Sequence, residues 1–303
     1  MKYVLKLIYK FSSGILPNLY CFNYILALPN FVRGNGRPPR NVDAKTATIN
    51  DYIFDRMIRN NWNMLQINCV DKQYAKKFVS ELATGVKIPR TISVYHISGQ
   101  TSVDEFEAWL GTYLGKHFVA KPAHSAGRVL FLDKEMQKSE LLDFFEYSKT
   151  NYFRIGRETL YENLERNVII EENISREGTI LNDYKFFCSN GIVHYCEVDI
   201  DRFSEHKRAI CTVPNFDLLP VRYGRDVPDR VQRPKHLSQM IDIARALSMK
   251  FDFVSVDLYD TDEGAYFGEF TFSPGAGSMN ISDEKFAIEF LQKVRAAQKV
   301  GLQ

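Results

Sequence analysis

The apolar positions of the chain follow two periods. Ala75, Phe78, Val79 and Leu82 recur at helical spacing and predict a helix over 71–83. Leu237, Met240, Ile241, Ala244 and Leu247 predict another over 236–248. Between them, short apolar runs at 117–121, 128–132, 167–172, 184–188 and 192–199 read as strands. Helical stretches are expected around 134–148 and 158–164, and a terminal helix from about 283. The runs 252–259 and 265–271 flank a turn at Asp260–Gly264 and predict an antiparallel hairpin, with Gly264 supplying the permissive turn dihedral. Strands and helices mix without strict βα alternation, which implies α+β layers in two or three lobes. The Gly/Pro/Arg cluster RGNGRPPR at 33–40 reads as a loop or linker.

At the N-terminus, MKYVLKLIYKF places Lys2, Lys6 and Lys10 on one stripe of a helix whose other positions are apolar or Tyr. Pro17 and polar neighbours stop the run well short of a membrane span, and no signal-peptide cleavage site follows. Such a helix suits an anionic membrane surface or the protein's own body. Basic and acidic residues nearly balance, 39 against 37, so bulk charge does not call for nucleic acid. Cys21, Cys69, Cys188, Cys196 and Cys211 are scattered, with no CxxC pair, which implies a reducing compartment without disulfides or a zinc site. They read as small buried hydrophobes.

Composition thus leaves the function open, and the hairpin narrows it. Each of its strands carries an acid, Asp257 and Glu269. With the turn centred on Asp262, position 257 is expected opposite 267, and Glu269 becomes the diagonal neighbour of Asp257 on the same face, with Ser255 and Thr271. Two carboxylates on a half-buried face repel unless a cation lies between them. Hard oxygen ligands with open positions suit Mg²⁺ shared with phosphate. The other readings are acids solvated on an exposed face or paired with Lys or Arg. DTDEG does not fit a calcium loop, because its Gly and final Glu are misplaced. After Glu269 the strand leaves through FTFSPGAGS, whose glycines allow close backbone approach and whose N–H groups suit an anion.

From about residue 40 to 280 the chain resembles the ATP-grasp enzymes, and among them the TupA-like branch named for teichuronopeptide biosynthesis. The blocks that carry the resemblance are NDYKFFCSNG, EVDIDRFSEHKR, FDFVSVDLY and YFGEFTFSPGAGS. It implies ATP held between two α+β lobes behind an N-terminal helical extension. The divisions expected are 1–70 for the extension, 71–172 for the first lobe and 173–303 for the lobe carrying Mg²⁺. The two phosphate-binding cations match Lys76 (with Lys77 as its alternative) and Lys121. The loop after Lys121, with His124, Ser125 and Gly127, would close over the phosphates. It departs from the branch's Asn-His-Gly-Ser-Gly pattern by losing a glycine and a hydroxyl. Glu171 and the backbone from Glu172 to Ile174 match the adenine hinge. Asp183 matches the ribose-binding acid, and Lys185 would reach the phosphates. Asp257, Glu269 and Thr271 match the metal site.

A second departure is Ser255, where an Arg usually stands two residues before the first metal acid. The resemblance leaves Arg202, His206 or Arg208 to supply that cation. His206 is a conceivable base for the attacking amine. Ser273, Gly275, Gly277 and Ser278 are expected at the substrate, where backbone N–H groups or Arg208 would meet a tetrahedral oxyanion. The implied reaction joins a hexuronic acid carboxylate of a capsule or O-antigen glycan to an amino acid or amino alcohol through an acyl phosphate. The implied location is the cytoplasm, at the inner face of the plasma membrane. A glycosyltransferase or sugar kinase of the same pathway, or a non-catalytic nucleotide-binding module, are the competing expectations.

Overall fold

The computed structural model describes residues 15–82, 85–134, 136–176, 179–202 and 204–300. The expected helix with the Lys2, Lys6 and Lys10 stripe lies outside them. The first elements are helices α1 (Tyr20–Asn35), α2 (Ile49–Ile58), α3 (Met64–Val70) and α4 (Lys72–Glu81). Strand β1 (Thr91–His96), helix α5 (Val103–Gly111), strands β2 (Phe118–Pro122) and β3 (Leu130–Phe131) and helices α6 (Lys138–Lys149) and α7 (Phe153–Gly156) follow. After a 3₁₀ turn at Thr159–Tyr161 come β4 (Asn167–Glu172), β5 (Asp183–Ser189), β6 (Ile192–Ile200), β7 (Lys207–Thr212) and β8 (Leu218–Leu219). Helix α8 (Leu237–Ser248), the hairpin β9 (Val254–Thr261) and β10 (Gly264–Thr271), a 3₁₀ turn at Pro274–Gly277 and α9 (Glu284–Val300) complete the chain.

Two antiparallel sheets result, ordered β1-β4-β2-β3 and β10-β9-β5-β6-β7-β8. The α+β expectation holds. Each strand predicted from apolar runs is present, with ends shifted by a few residues. The helix expected over 158–164 is replaced by the short α7 and the 3₁₀ turn.

The larger sheet explains its own sequence. On one face Phe186, Cys196, Val198, Cys211, Val256 and Leu258 form an apolar layer with the predicted stripe of α8. Cys69, Cys188, Cys196 and Cys211 are buried there as free thiols, and Cys21 is exposed. The opposite face changes character along its length. Phe187, Tyr195, Ile210 and Phe253 pack with Phe286, Phe290 and Val294 of α9 at one end. At the other end cross-strand neighbours are charged: Asp257–Lys185–Glu197 in one row and Asp183–Asp199–Arg208 in the next. This charged end faces the smaller lobe. That lobe has its own core of Phe106 and Leu110 from α5, Leu141, Phe144 and Phe145 from α6, and Val168 and Ile170 of β4.

One expected division is corrected. Helix α4 was assigned to the first lobe, yet Ala75, Phe78 and Val79 belong to the core of the larger sheet, because its apolar stripe meets β10 and α8. RGNGRPPR closes α1 with its first three residues and continues as the expected loop, held in place by its neighbours. Asn35 donates to the Gly277 carbonyl at 3.0 Å, and Arg37 forks onto Asp51 at 2.8 Å through both amino groups. Gly34 lies so close to Ser278 that a Cβ would stand 1.8 Å from its carbonyl oxygen, so only glycine fits. Thr48 and Asp51 close a capping box that starts α2 and fixes Asp51 for Arg37.

Candidate functional site

A cleft lies between the two sheets. The smaller lobe contributes Lys121 from β2, Glu172 at the end of β4 and Ile174 just after it. The larger lobe contributes Asp183, Tyr259, Gly268 and Glu269. Apolar lining from Val119, Phe131, Ile180 and Leu181 sits beside these charges, as a flat base joined to phosphates requires.

The hairpin acids are brought together more closely than alternation alone predicts. The register slips between Phe267 and Glu269, so that Glu269 pairs directly with Asp257 and Thr271 with Ser255. Phe267 pairs with Leu258 instead and turns into the apolar core with Phe270. The expected 257–267 pairing and the diagonal 257–269 relation are therefore corrected: Gly268 is a bulge residue that carries Glu269 onto the face of Asp257. A Cβ at Gly268 would stand 3.0 Å from the Asp257 carbonyl oxygen and 3.0 Å from the Tyr259 ring.

Lysines neutralise both acids. Lys185 is ion-paired with Asp257, and Lys72 reaches Glu269 at 3.1 Å. Burial pushes the Asp257 carboxyl up to about 6 even with Lys185 beside it, and Glu269 adds to the rise. Burial works the same way on Glu269, but Lys72 and Lys185 outweigh it and hold that carboxyl down to about 2. Ser255, where the family pattern has Arg, donates its hydroxyl to Asp257 at 2.7 Å. Two hard carboxylates on one face and a hydroxyl at Thr271, two residues on, form an oxygen donor set that fits Mg²⁺.

The smaller lobe has a second charged knot. Glu171, 2% exposed, lies between Lys76 at 2.5 Å and Lys121 at 3.0 Å. Burial opposes its ionised form, yet Lys121 and Lys76 hold it below the usual glutamate value. Burial likewise pulls Lys76 below the usual lysine value. Lys76 also donates to the Pro89 carbonyl at 2.7 Å and to Thr91 at 3.1 Å, so its ammonium is spent inside the protein. The lysine of α4 that lines the cleft is Lys72, one turn earlier, which also donates to the Ser125 carbonyl at 2.6 Å. Helical spacing marked the shared face of Lys72 and Lys76 but not which end of it meets the cleft. The Glu171 side chain is a counter-ion for two lysines rather than a group at the adenine edge.

The remaining expected residues divide. Gly127, Glu172, Ile174, Asp183 and Arg202 line the cleft, with Arg202 on Asp183 at 2.8 Å. His124 and Ser125 of the loop after β2 are buried and do not line the cleft, and burial lowers His124 to about 4. His206 and Arg208 meet on Asp199 at 2.7 Å each, and Arg208 also reaches Glu197 at 2.9 Å. These two lie farther along the charged face, at β7, with three strands between them and the β10 of Glu269. The Ser273 hydroxyl donates to Glu158 at 2.5 Å, while Gly275, Gly277 and Ser278 form the turn that meets the 33–40 segment. Arg128 and Tyr259 line the cleft without having been marked by any spacing signal. Among the described residues no cluster of three metal-ligating acids, histidines or cysteines occurs.

A family model described as TupA-like ATPgrasp matches residues 54–292. No curated protein matches the chain. Among solved structures, the chain is similar to D-alanine–D-alanine ligase from Bacillus anthracis, at 16% identity and a TM-score of 0.38, covering 77% of this chain and 68% of that one. The corresponding ligase from Helicobacter pylori gives 16% identity and a TM-score of 0.40, with coverages of 75% and 61%. The macrocyclase MdnC from Microcystis aeruginosa, bound with its precursor peptide MdnA, gives 11% and 0.32, with coverages of 72% and 61%. The chain thus spans less than two thirds of the length of the last two.

Proposed function

The chain belongs to the TupA-like ATP-grasp family, and from that premise we propose that it is an ADP-forming carboxylate–amine ligase. The observation that carries the reading is the direct pairing of Asp257, held by Lys185, with Glu269, which lines a cleft together with Lys72, Lys121 and Arg202. ATP would lie in this cleft, its base against Val119, Phe131 and Leu181 and its adenine edge at the backbone from Glu172 to Ile174. Asp183 and Arg202 would meet the ribose. Lys121 and Lys72 would neutralise the phosphates, with Lys185 released from Asp257 towards them. Asp257, Glu269 and Thr271 would hold Mg²⁺, which supplies charge neutralisation at the transferring phosphoryl group.

A substrate carboxylate oxygen would attack the γ-phosphorus, breaking its bond to ADP and forming an acyl phosphate. An amine would then attack the acyl carbon, lose a proton and expel inorganic phosphate. The loop Ser273–Ser278 would border the acyl carbon. The carboxylate is read as a hexuronic acid of a bacterial surface glycan and the amine as an amino acid or amino alcohol. A basic amphipathic N-terminus, with exposed Ile15, Leu19 and Ile25 after it, favours contact with the inner membrane face, where lipid-linked glycans are built. Among the described residues no helix is long and apolar enough to cross a membrane.

The test is release of ADP and phosphate from Mg·ATP in the presence of uronates or uronate glycans and pools of amines. Turnover that needs one member of each pool, with a product lighter than its parts by one water, is expected. Glu269→Gln is expected to lower it about a hundredfold or more without loss of fold. Turnover that survives Glu269→Gln would remove that residue from the metal site. ATP consumption without an amine requirement would point to a kinase.

A further inference from the structure

Helix α1 is apolar on two faces, and the fold covers one of them. Inward, Ala27 and Phe31 pack with Phe54, Met57 and Ile58 of α2, and Leu26 is buried too. Outward, Cys21, Ile25, Leu28 and Val32 recur at helical spacing and form a stripe without a charged side chain. Ile25 is 63% exposed and Val32 37%, and Ile15 and Leu19 just before the helix are also open to solvent. A helix apolar all round is ordinarily buried, so the outer stripe calls for a cover. At 16 residues, with Pro29 inside it, α1 is too short to span a bilayer. Charge says which cover fits. Residues 1–42 hold six of the 39 basic residues and none of the 37 acidic ones. The remainder is therefore net acidic, and positive charge is concentrated at the end that bears the stripe. Arg37 is paired with Asp51 and Arg40 with Glu284. Lys2, Lys6 and Lys10 precede the stripe, and exposed Arg33 stands at its far end. Two acids of neighbouring elements are engaged, Asp55 of α2 by Arg59 at 2.6 Å and Glu162 by Asn18 at 2.5 Å. An apolar stripe flanked by cations and free of acids matches the acyl region and headgroups of an anionic bilayer.

We propose that the outer face of α1 docks on an anionic lipid bilayer, the helix lying in its plane with Ile25 and Val32 among the acyl chains and the basic residues at the headgroups. The same helix reaches the site. Its last residue, Asn35, donates to the Gly277 carbonyl at 3.0 Å, and Gly34 packs against Ser278. Docking would therefore set the loop after the metal strand at the bilayer surface, towards an acceptor carried on lipid rather than free in solution. That acceptor assignment rests on the ligase reading; the docking does not.

Co-sedimentation of the full chain with vesicles tests the docking. Binding is expected to vesicles of equal parts phosphatidylglycerol and phosphatidylcholine, and should fall about tenfold or more on phosphatidylcholine alone. Ile25→Ser combined with Val32→Ser removes apolar surface without changing charge. This variant is expected to bind the anionic vesicles about tenfold more weakly, with an unchanged melting temperature. In Ile25→Trp, quenching by brominated acyl chains should exceed that of the wild type, whose two tryptophans give the background. Equal binding by the serine variant and the wild type, or no added quenching at position 25, would overturn the proposal. So would a serine variant that melts lower (the stripe is then covered by residues 1–14) or that loses self-association instead of vesicle binding (the stripe then meets a second copy). Stripe-dependent vesicle binding in a chain that releases no ADP with any acceptor and amine would keep the docking and remove the ligase reading. Ligase turnover in a chain that binds no vesicles would remove the docking alone.

Discussion

Lys72 and Lys76 stand one helical turn apart and do different work. Lys72 lines the cleft and holds Glu269, whereas Lys76 is locked onto Glu171, Pro89 and Thr91. Lys72→Ala is therefore expected to weaken Mg·ATP binding about tenfold or more, the worth of a charged hydrogen bond, with little change in melting temperature. Lys76→Ala is expected to lower the melting temperature, because it takes one of two partners from a buried carboxylate. Calorimetric titration and thermal melts on both variants would decide; the reverse pattern would restore Lys76 as the phosphate ligand. Glu158 gives a pH signature. Burial raises its carboxyl to about 7 from 4.5, against the hydroxyls of Ser273 and Tyr152. Between these values the folded chain keeps a proton that the unfolded chain has released, so stability falls as pH rises. The loss approaches about 3 kcal/mol above pH 7. Glu158→Gln cannot ionise, so its stability relative to wild type should rise between pH 5 and pH 8. Parallel stability curves would show that the Glu158 charge is compensated elsewhere.

At the level of elements, the hairpin depends on one residue without a side chain. Gly268 inserts the extra position that turns Phe267 and Phe270 to the core while Glu269 stays with Asp257. Gly268→Ala would press a methyl against the Asp257 carbonyl and the Tyr259 ring, both at 3.0 Å, and the backbone side of that contact cannot rotate away. A stability cost of about 1–3 kcal/mol is expected, with a larger loss in Mg·ATP affinity because the two carboxylates separate. Unchanged affinity in denaturant-characterised Gly268→Ala would show that the bulge does not set the acid pair. The seam between residues 33–40 and 273–280 depends on close approach in the same way. Gly34→Ala would place its Cβ 1.8 Å from the Ser278 oxygen. It is expected to cost about 3 kcal/mol or more and to raise the KM for the glycan acceptor more than that for ATP. Equal effects on both would mean that the seam supports the whole fold rather than the substrate loop.

For the whole molecule, much was legible in the chain. The alternation of 184–188, 192–199 and 254–261 follows from a sheet with one apolar face under α8, so the strands and the amphipathic helix over it were readable from spacing. The hairpin acids stood out because each interrupts a strand that burial would favour as apolar. The family blocks added Lys121, Asp183, Gly127 and Ile174, which do line the cleft. Periodicity reports which side of an element is apolar, and nothing in it reports which distant segment meets that side. That is why the expected first-lobe division takes in α4, and why RGNGRPPR is legible as a loop but not for what it packs against. The sequence by itself determined the α+β elements, the burial of four of the five cysteines (Cys21 is exposed) and the presence of a carboxylate pair, because each is a local consequence of spacing and residue type. Only the tertiary structure decided that Glu269 faces Asp257 directly, that Lys72 rather than Lys76 lines the cleft, and that the N-terminal segment walls the loop after the metal strand. A bulge slips the register by one residue, a helix face points wherever packing directs it, and a close contact between glycine and a carbonyl joins residues far apart in the chain.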